Sequence, residues 1–174
     1  MTSRNLRLAV EFDAAFARRS SELALRPERA DDGRFLKALF VACSSLVGLV
    51  PPTMIDFQAE TQRSSHNRAY PDAMHRVVEA DGAPVGRAMI DWRTDRAHLV
   101  DIAVLPEARP TRAGRMLLLA WLEVADAAGL RATLEVLLTN PALEIYRKLG
   151  FGEVPEQMPD DPVLTMERYP VKYS

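Results

Sequence analysis

The sequence predicts a mixed α/β fold, in which a central, twisted and partly parallel sheet carries helices on both faces. Apolar residues recur at helical spacing up to about residue 70, then alternate over consecutive segments, and after residue 115 follow the order helix, strand, helix. Consecutive strands joined by tight turns form an antiparallel meander, whereas strands separated by a helix pair in parallel. The chain therefore predicts both kinds of pairing in one sheet.

The first half of the chain predicts a strand, two helices and a three-stranded meander. A short apolar segment ends at Pro27 as a strand. Apolar residues then recur at i, i+3 and i+4 up to Val47, which predicts a helix that Gly48 ends. A second, thinly apolar helix follows, and Asp81-Gly82 favours a hairpin turn between two strands. The predicted elements are strands 23–26, 76–80, 85–92 and 98–105 and helices 31–48 and 54–68.

The second half predicts helices that alternate with strands. Pro106 ends the third meander strand, and an arginine-rich loop leads into a long apolar helix that Gly129 ends. A strand follows, and Asn140-Pro141 is typical of a helix start, with asparagine as the N-cap and proline in the first turn. The predicted elements are helices 116–128 and 141–149 and strands 132–139, 152–154 and 163–168.

Length and composition fit one domain. At 174 residues, with 48% hydrophobic and 26% charged side chains, the chain can fill one core and is short for two typical domains. Residues 1–22 show no clean hydrophobic period. We interpret them as an N-terminal extension of uncertain structure, followed by a single domain over residues 23–174.

Charge and cysteine content exclude several classes of protein. A net charge of −2 leaves no overall basic field for a nucleic acid. The single cysteine, Cys43, forms no disulfide framework and fits the apolar face of its helix. His66, His75 and His98 lie far apart in the chain with no cysteine or HxxxH grouping, which argues against a metal site. No apolar run approaches the roughly 20 residues of a bilayer span. We expect a cytoplasmic protein with no metal, no membrane and no nucleic-acid partner.

The loop between the third meander strand and the long helix is the most informative segment. Arg109, Arg112 and Arg115 against Glu107 give it a local charge of +2 in an acidic chain. The helix start that follows offers unpaired N–H groups and the positive end of the helix dipole, which favour phosphate. A solvated basic turn is the alternative interpretation of the loop alone.

Three segments in this half resemble the GCN5-related N-acetyltransferase (GNAT) family. They are VDIAVLPEAR, PTRAGRMLL and LEVLLTNPALEIYRKLGF, in the family's order of strand, loop, helix, strand and helix. The resemblance covers roughly residues 23–169. It implies the GNAT fold, acetyl-CoA or a related short acyl-CoA as the acyl donor, direct transfer to a primary amine, and the homodimers that family members often form.

The resemblance also implies which residues hold the acyl-CoA. Arg109 takes the first position and Gly114 the last of the family's pyrophosphate loop, while Arg112 stands where the family has its first glycine. An arginine there either offers its guanidinium to the phosphates or marks a decayed site. The implied cofactor-binding residues are the main chain of Ile102, Ala103 and Val104, then Arg109, Arg112, Ala113, Gly114, Arg115 and Asn140.

Acyl transfer to an amine needs an acid for the leaving thiolate and a route for the amine's proton. By resemblance, Tyr146 is the general acid and His98 is a candidate base. Asp101, a carboxylate within an otherwise apolar run, is the other candidate base, unless ordered water removes the proton. Strict strand alternation puts His98 and Asp101 on opposite faces of the sheet, so we expect at most one of them to face the acyl group.

Candidates for recognition of the acceptor lie in the first two helices and in a late acidic loop. Their polar and acidic character suits a cationic amine, either a small molecule or a peptide. The competing interpretation, which is favoured for any single residue, is a solvated helix face and a flexible loop. A protein N-terminus or a lysine side chain is a further possible acceptor. A non-catalytic CoA-fold binding or regulatory module is the alternative that Arg112 motivates. The candidates are Gln58, Gln62, His66, Tyr70, Asp72, Glu156, Asp160 and Asp161.

Overall fold

The computed structural model describes residues 2–44, 47–155 and 161–171 and confirms the mixed α/β fold. Seven strands form one sheet. They are β1 (Leu23–Pro27), β2 (Met74–Ala80), β3 (Ala83–Trp92), β4 (Arg96–Val104), β5 (Arg131–Leu137), β6 (Gly152–Glu153) and β7 (Val163–Arg168). The helices are α1 (Ser3–Ala17), α2 (Gly33–Cys43), α3 (Pro52–Ala69), α4 (Ala113–Ala127) and α5 (Leu143–Lys148).

The sheet combines antiparallel and parallel pairing as the sequence predicts. Its strand order is β1-β2-β3-β4-β5-β7-β6, and only β4 and β5 pair in parallel. Helix α4 provides the connection that a parallel pair requires. Within the sheet, the strands from the two halves of the chain meet along this pair.

Helices cover both faces of the sheet, which confirms that prediction. Helices α1 and α4 pack on one face and form the main core, with Trp121 and Phe12 fully buried in it. Helix α2 lies on the opposite face against β3 and β4, where it buries Leu36 and Leu39, and α3 packs beside it. The second face is less filled with apolar side chains and holds the site described below.

The N-terminal segment is a helix rather than an extension of uncertain structure. Helix α1 begins after Thr2, whose hydroxyl accepts a hydrogen bond from the Asn5 N–H at 3.2 Å. Its buried residues Leu8, Phe12 and Phe16 belong to the same core as α4. The sequence shows no clean period because two arginine-rich ends flank this apolar face, so the core does not begin at residue 23 but includes α1.

Several predicted boundaries are corrected. Helix α2 ends at Cys43 and not at Gly48, and the predicted position Leu46 lies outside the described residues. The arginine-rich loop contains a short 3₁₀ helix over Pro106–Thr111, after which α4 begins three residues earlier than predicted. Asn140 caps a turn before α5, since its Oδ1 accepts from the Ala142 N–H at 2.9 Å.

Within the described ranges, no helix has the length and apolar character needed to cross a membrane.

Candidate active site

Strands β4 and β5 separate along their length. They pair from Arg96 opposite Arg131 to Leu99 opposite Leu134, yet β4 continues to Val104 and β5 to Leu137. The unpaired halves leave a gap in the middle of the sheet. Main-chain N–H and C=O groups that line such a gap must find partners elsewhere, so an extended ligand can pair with them.

The pairing of β4 with β3 decides which main-chain groups face this gap. The Leu105 N–H donates to the Val85 carbonyl at 2.9 Å, so Leu105 turns its main chain to the β3 side. Hydrogen-bonded and non-bonded positions alternate in antiparallel pairs. Ala103 therefore also turns its main chain to β3, while the main-chain groups of Ile102 and Val104 face the gap. Of the three predicted residues, these two turn main-chain groups toward the gap, where the Val104 carbonyl already accepts a hydrogen bond from Cys43 Sγ.

A β-bulge at Val100 reverses the alternation along β4. Met89 pairs with Asp101 and Ile90 pairs with Leu99, so Val100 has no position opposite it on β3. Asp91 pairs with His98. The expectation that His98 and Asp101 lie on opposite faces is wrong, because the extra residue between them places both on the face that carries α2 and α3.

Arg112 keeps the backbone shape of the glycine that the family resemblance leads one to expect. Its φ is +61° and its ψ is +20°, which is the left-handed conformation that glycine adopts without strain. It directly precedes α4, and its side chain is exposed, as are those of Arg109 and Arg115. The turn therefore has the backbone conformation that a glycine would adopt, with a cationic side chain beside it.

The first turn of α4 presents its N–H groups next to the gap. The Ala113 N–H donates to the Thr111 hydroxyl at 3.3 Å, and the N–H groups of Gly114 and Arg115 have no acceptor within the helix because they belong to its first turn. A Cβ at Gly114 would lie 3.6 Å from the Val104 side chain, an ordinary contact. The protein's own packing thus gives no reason for glycine at this position.

Cys43 lies at the same end of the gap rather than in the core. It is partly exposed, and its Sγ donates to the Val104 carbonyl at 3.4 Å. Burial raises the pKa of the Cys43 thiol, while the nearby Arg109 guanidinium opposes that rise. The earlier assignment of Cys43 to the apolar face of its helix is corrected, because α2 ends at this residue.

Tyr146 lies on α5, which follows β5 in the chain, and its ring belongs to the main core. It is 6% exposed and contacts Phe151 edge to face, with ring centroids 6.0 Å apart. Burial raises the pKa of Tyr146 to about 12, and the negative charge of Asp101 adds to the rise. The phenol therefore keeps its proton at neutral pH, the state that a general acid requires.

His98 is enclosed by two polar neighbours. Its Nε2 lies 3.2 Å from the Tyr70 hydroxyl and its Nδ1 lies 2.9 Å from the Thr133 hydroxyl, while the Tyr70 ring stacks on the imidazole. The residue is 9% exposed, and burial lowers the pKa of His98 to about 4. The imidazole is therefore neutral at neutral pH, and both ring nitrogens already have partners.

A cavity of about 430 Å³ lies between α2, α3 and the sheet. Asp101 lines it, and so do Asn140 and two of the predicted acceptor residues, Gln62 and His66. Burial lowers the pKa of His66, which keeps this imidazole neutral as well. The cavity therefore brings the carboxylate of β4 and the polar residues of α3 together beside the open part of the sheet.

The other predicted acceptor residues are dispersed. Tyr70 covers His98 and lines a second, more open cavity, whereas Gln58 and Asp72 line neither of the two cavities. The carboxylate of Asp161 accepts from the Val163 N–H at 2.8 Å at the start of β7. Glu156 and Asp160 lie outside the described residues.

Sequence reasoning missed two charged residues of this face, Arg87 and Glu135. Arg87 on β3 lines the cavity, and its Nε lies 3.2 Å from the Asp101 carboxylate. Glu135 follows Thr133 on the same face of β5, and its charge acts on the pKa values of both His66 and Tyr70. A single carboxylate within the apolar run 132–138 was the signal that could have revealed Glu135.

Comparison with known proteins identifies the fold's family. The family model described as Acetyltransferase (GNAT) family matches residues 42–151, well over half of the chain. The chain belongs to the GNAT acetyltransferase family. The matched residues of this GNAT domain run from the end of α2 to Phe151. They include the gap, the arginine-rich turn, Tyr146 and the part of the cavity wall that lies after α2.

One relative is the N-alpha-acetyltransferase of Sulfurisphaera tokodaii. It is 37% identical over 106 aligned residues, and the match covers 51% of this GNAT domain chain and 62% of the relative. The chain thus matches less than two thirds of that protein's length, and the identity concerns the shared part.

Solved structures share the fold at low sequence identity. PaiA N-acetyltransferase of Thermoplasma acidophilum, solved in complex with coenzyme A, is 18% identical with a TM-score of 0.67 and covers 84% of this chain and 98% of its own. The ribosomal-protein-S18-alanine N-acetyltransferase of Escherichia coli is 17% identical with a TM-score of 0.61, covering 87% and 96%. These likenesses support the GNAT fold and do not identify a substrate.

Within the described ranges, no three His, Cys, Asp or Glu residues group as metal ligands.

Proposed function

We propose that this GNAT domain transfers an acetyl or short acyl group from acyl-CoA to a primary amine by direct attack. The observation that carries the proposal is the gap between β4 and β5, which opens beside the arginine-rich start of α4. Family membership and the relative named as an N-alpha-acetyltransferase support it. The left-handed turn at Arg112 argues against a decayed, non-catalytic site.

In this proposal the acyl-CoA is held by main-chain and cationic groups. The main chain of Ile102 and Val104 pairs with the extended arm, and Asn140 lies at the same cavity. The pyrophosphate is bound by the first N–H groups of α4 together with the side chains of exposed arginines, because helix starts and guanidinium groups both favour phosphate. The residues assigned to the pyrophosphate are Arg109, Arg112, Ala113, Gly114 and Arg115.

The catalytic groups lie on both sides of the gap. Bound acyl-CoA would supply the thioester, and Tyr146 donates its proton to the departing thiolate. The carboxylates of Asp101 and Glu135 accept the proton of the attacking amine, directly or through water. We assign His98 a positioning role, since its two ring contacts orient Tyr70 and Thr133 instead of a substrate.

Isothermal titration and a thiol-release assay test the proposal together. We expect titration with acetyl-CoA to show binding at micromolar to millimolar concentration, and CoA thiol to appear when a primary amine is added. A panel containing peptides, amino-acid amides, lysine derivatives and polyamines identifies the acceptor class. Absence of both binding and thiol release with every acyl-CoA and every amine would contradict the proposed activity.

Replacement of Arg112 by glycine separates backbone strain from phosphate binding. Arg112→Gly is expected to raise the free energy of unfolding by about 0.5 kcal/mol, because glycine takes a positive φ without a Cβ clash. The affinity for acetyl-CoA should fall about tenfold, since a charge-assisted hydrogen bond to phosphate is lost. Calorimetric titration and chemical denaturation measure the two effects.

Asp81 provides the matched control for this substitution. Within the part of the chain that the structure describes, it is the other non-glycine residue with a positive φ, at +51°, and it lies in the β2–β3 turn. Asp81→Gly should relieve similar strain and leave acetyl-CoA affinity unchanged. Tighter binding by Arg112→Gly would instead show that the arginine obstructs the phosphate site.

Gly114→Ala is expected to change stability and affinity in opposite directions. Alanine should stabilise the first turn of α4 by up to about 0.5 kcal/mol, because the added Cβ makes only ordinary contacts and alanine favours helix. The same Cβ should weaken acetyl-CoA binding about tenfold by keeping phosphate away from the N–H groups. Thermal denaturation and titration report both quantities, and unchanged affinity would place the pyrophosphate elsewhere.

We also propose that the protein works in a reducing cytoplasm and forms a homodimer. The single cysteine supports the first statement, because it offers no intramolecular disulfide. Exposed apolar residues at the end of the described chain, Tyr169 and Val171, and on α1, Leu6 and Val10, support the second. Light scattering coupled to size-exclusion chromatography would contradict the dimer by giving the mass of one chain, 19.4 kDa.

A further inference from the structure

Arg87 is a largely buried cation that makes few hydrogen bonds to described residues. It lies on β3, on the face that carries Asp101, and its side chain is 11% exposed at the wall of the cavity. Its Nε lies 3.2 Å from Asp101 Oδ2, but this nitrogen is fully enclosed and makes no well-directed hydrogen bond with any described residue. The ion pair therefore neutralises charge without satisfying the guanidinium's donors.

The remaining donors of Arg87 are also weakly used. A guanidinium carries five N–H groups, and the other contact found in the described ranges joins Nη2 to the Met89 sulfur at 3.6 Å. Thioether sulfur is a weak acceptor. Buried polar groups are normally hydrogen-bonded, so a cavity wall with unused guanidinium donors indicates a place for a ligand's acceptor atom.

The other cations of this cavity are already engaged. Lys37 Nζ lies 2.9 Å from the Asp56 carboxylate, and Arg63 Nη2 lies 3.2 Å from the Glu28 carboxylate. Both side chains are more exposed than that of Arg87. Arg87 is thus the cavity cation best placed to recognise an uncharged or anionic oxygen in the interior.

Asp101 and Arg87 together present two complementary charges side by side. A ligand that satisfies both offers a cationic nitrogen to the carboxylate and an oxygen to the guanidinium, a few ångströms apart. An α-amino group next to a carbonyl has this arrangement, because only two bonded carbons separate its nitrogen from the carbonyl oxygen. A lysine side-chain amine or a simple alkylamine has no such oxygen.

We propose that Arg87 is a specificity-determining residue that binds the carbonyl oxygen next to the acceptor's α-amino group, while Asp101 holds the amine. The acceptor class is therefore an α-amino acid derivative or a peptide N-terminus. This inference rests on the proposed acyl transfer and names the acceptor of that reaction. It assigns Arg87 to recognition and leaves acid and base chemistry to the residues already named.

The test compares two acceptors that differ by one group. Alaninamide and isopropylamine share the carbon skeleton, except that a methyl group in the second replaces the carboxamide. The ratio of their kcat/KM values in the wild-type protein is compared with the ratio in Arg87→Met. We expect the ratio to fall about 10- to 100-fold, as for a lost hydrogen bond to a charged donor. The two amines differ in basicity, but this difference affects the ratio equally in both proteins. It therefore cancels when the wild-type ratio is compared with the Arg87→Met ratio.

Two further variants separate recognition from charge and folding. Arg87→Lys keeps the positive charge beside Asp101 and loses the planar fork, so its ratio should lie between those of wild type and Arg87→Met. Arg63→Met removes the other cavity arginine and should preserve the wild-type ratio. Thermal denaturation of each variant shows whether it folds. If Arg87→Met does not fold, the ratio of kcat/KM values in Arg87→Lys is compared with that of the wild type instead.

The outcomes of the inference and of the acyl transfer are distinguishable. An unchanged ratio in Arg87→Met, or wild-type preference for the side-chain amine of an Nα-blocked lysine, overturns the role of Arg87 while acyl transfer stands. Equilibrium titration of alaninamide into the CoA-saturated protein measures the same contact without turnover. Equal affinity of the wild-type and Arg87→Met proteins in that titration also overturns the inference, whatever the catalytic activity.

Discussion

Tyr146→Phe is expected to lower the turnover number of acetyl transfer by about 100-fold or more, which is typical for loss of a general acid. The affinity for acetyl-CoA should change by no more than about twofold, because the proposed cofactor contacts come from β4 and α4. Burial raises the pKa of Tyr146 to about 12, so the phenol holds its proton throughout the neutral range. Steady-state kinetics and calorimetric titration measure the two quantities.

The substitution removes one oxygen and preserves the ring that packs against Phe151. The melting temperature of the Tyr146→Phe variant should therefore stay close to that of the wild type. Tyr169→Phe is the matched control, since Tyr169 is an exposed tyrosine beyond the end of β7 and should keep full activity. Full turnover of Tyr146→Phe would remove this residue from the mechanism, and the proton would then have to come from water.

Acidification is expected to destabilise the fold through His98. The folded-state pKa of about 4 lies below the usual value of about 6.5, so the neutral imidazole contributes stability above about pH 6.5 and that contribution is lost as the pH falls toward 4. A shift of this size corresponds to about 3 kcal/mol of unfolding free energy. Urea denaturation between about pH 7 and pH 4 measures the loss.

His98→Gln should flatten this part of the pH dependence, because glutamine fills a similar space and does not titrate. Thr133→Val is the matched control, since it removes the partner of Nδ1 and keeps the titrating ring. The valine variant should lose stability at every pH and retain a steep decline in acid. If His98→Gln and wild type decline in parallel, the acid lability arises from other groups.

Much of the fold could be predicted from local patterns in the sequence. The Asp81-Gly82 turn, the stop at Gly129 and the strand that ends at Pro27 are each specified by a few neighbouring residues with defined backbone preferences. The arginine-rich turn and Tyr146 could be assigned because their spacing resembles that of a known family. These features depend on residues close together in the chain, which is why sequence inspection reaches them.

The arrangement of side chains on the sheet face that carries α2 and α3 could not be predicted in the same way. The bulge at Val100 depends on how β4 pairs with β3, and it reverses the relation between His98 and Asp101. His98 has two partners, Tyr70 and Thr133. Tyr70 precedes His98 in the chain and Thr133 follows it. Periodicity describes one strand at a time and contains no information about such register shifts.

The amino-acid sequence by itself determined the class of fold, most of the elements and the family to which the chain belongs, because helix periods, turn residues and short motifs act over a few neighbouring positions. Tertiary structure alone decided that α1 completes the core, that β4 and β5 separate, and that Arg87 meets Asp101 at one cavity. These relations join residues far apart in the chain, and they are fixed by the packing and register of the whole sheet rather than by any local preference.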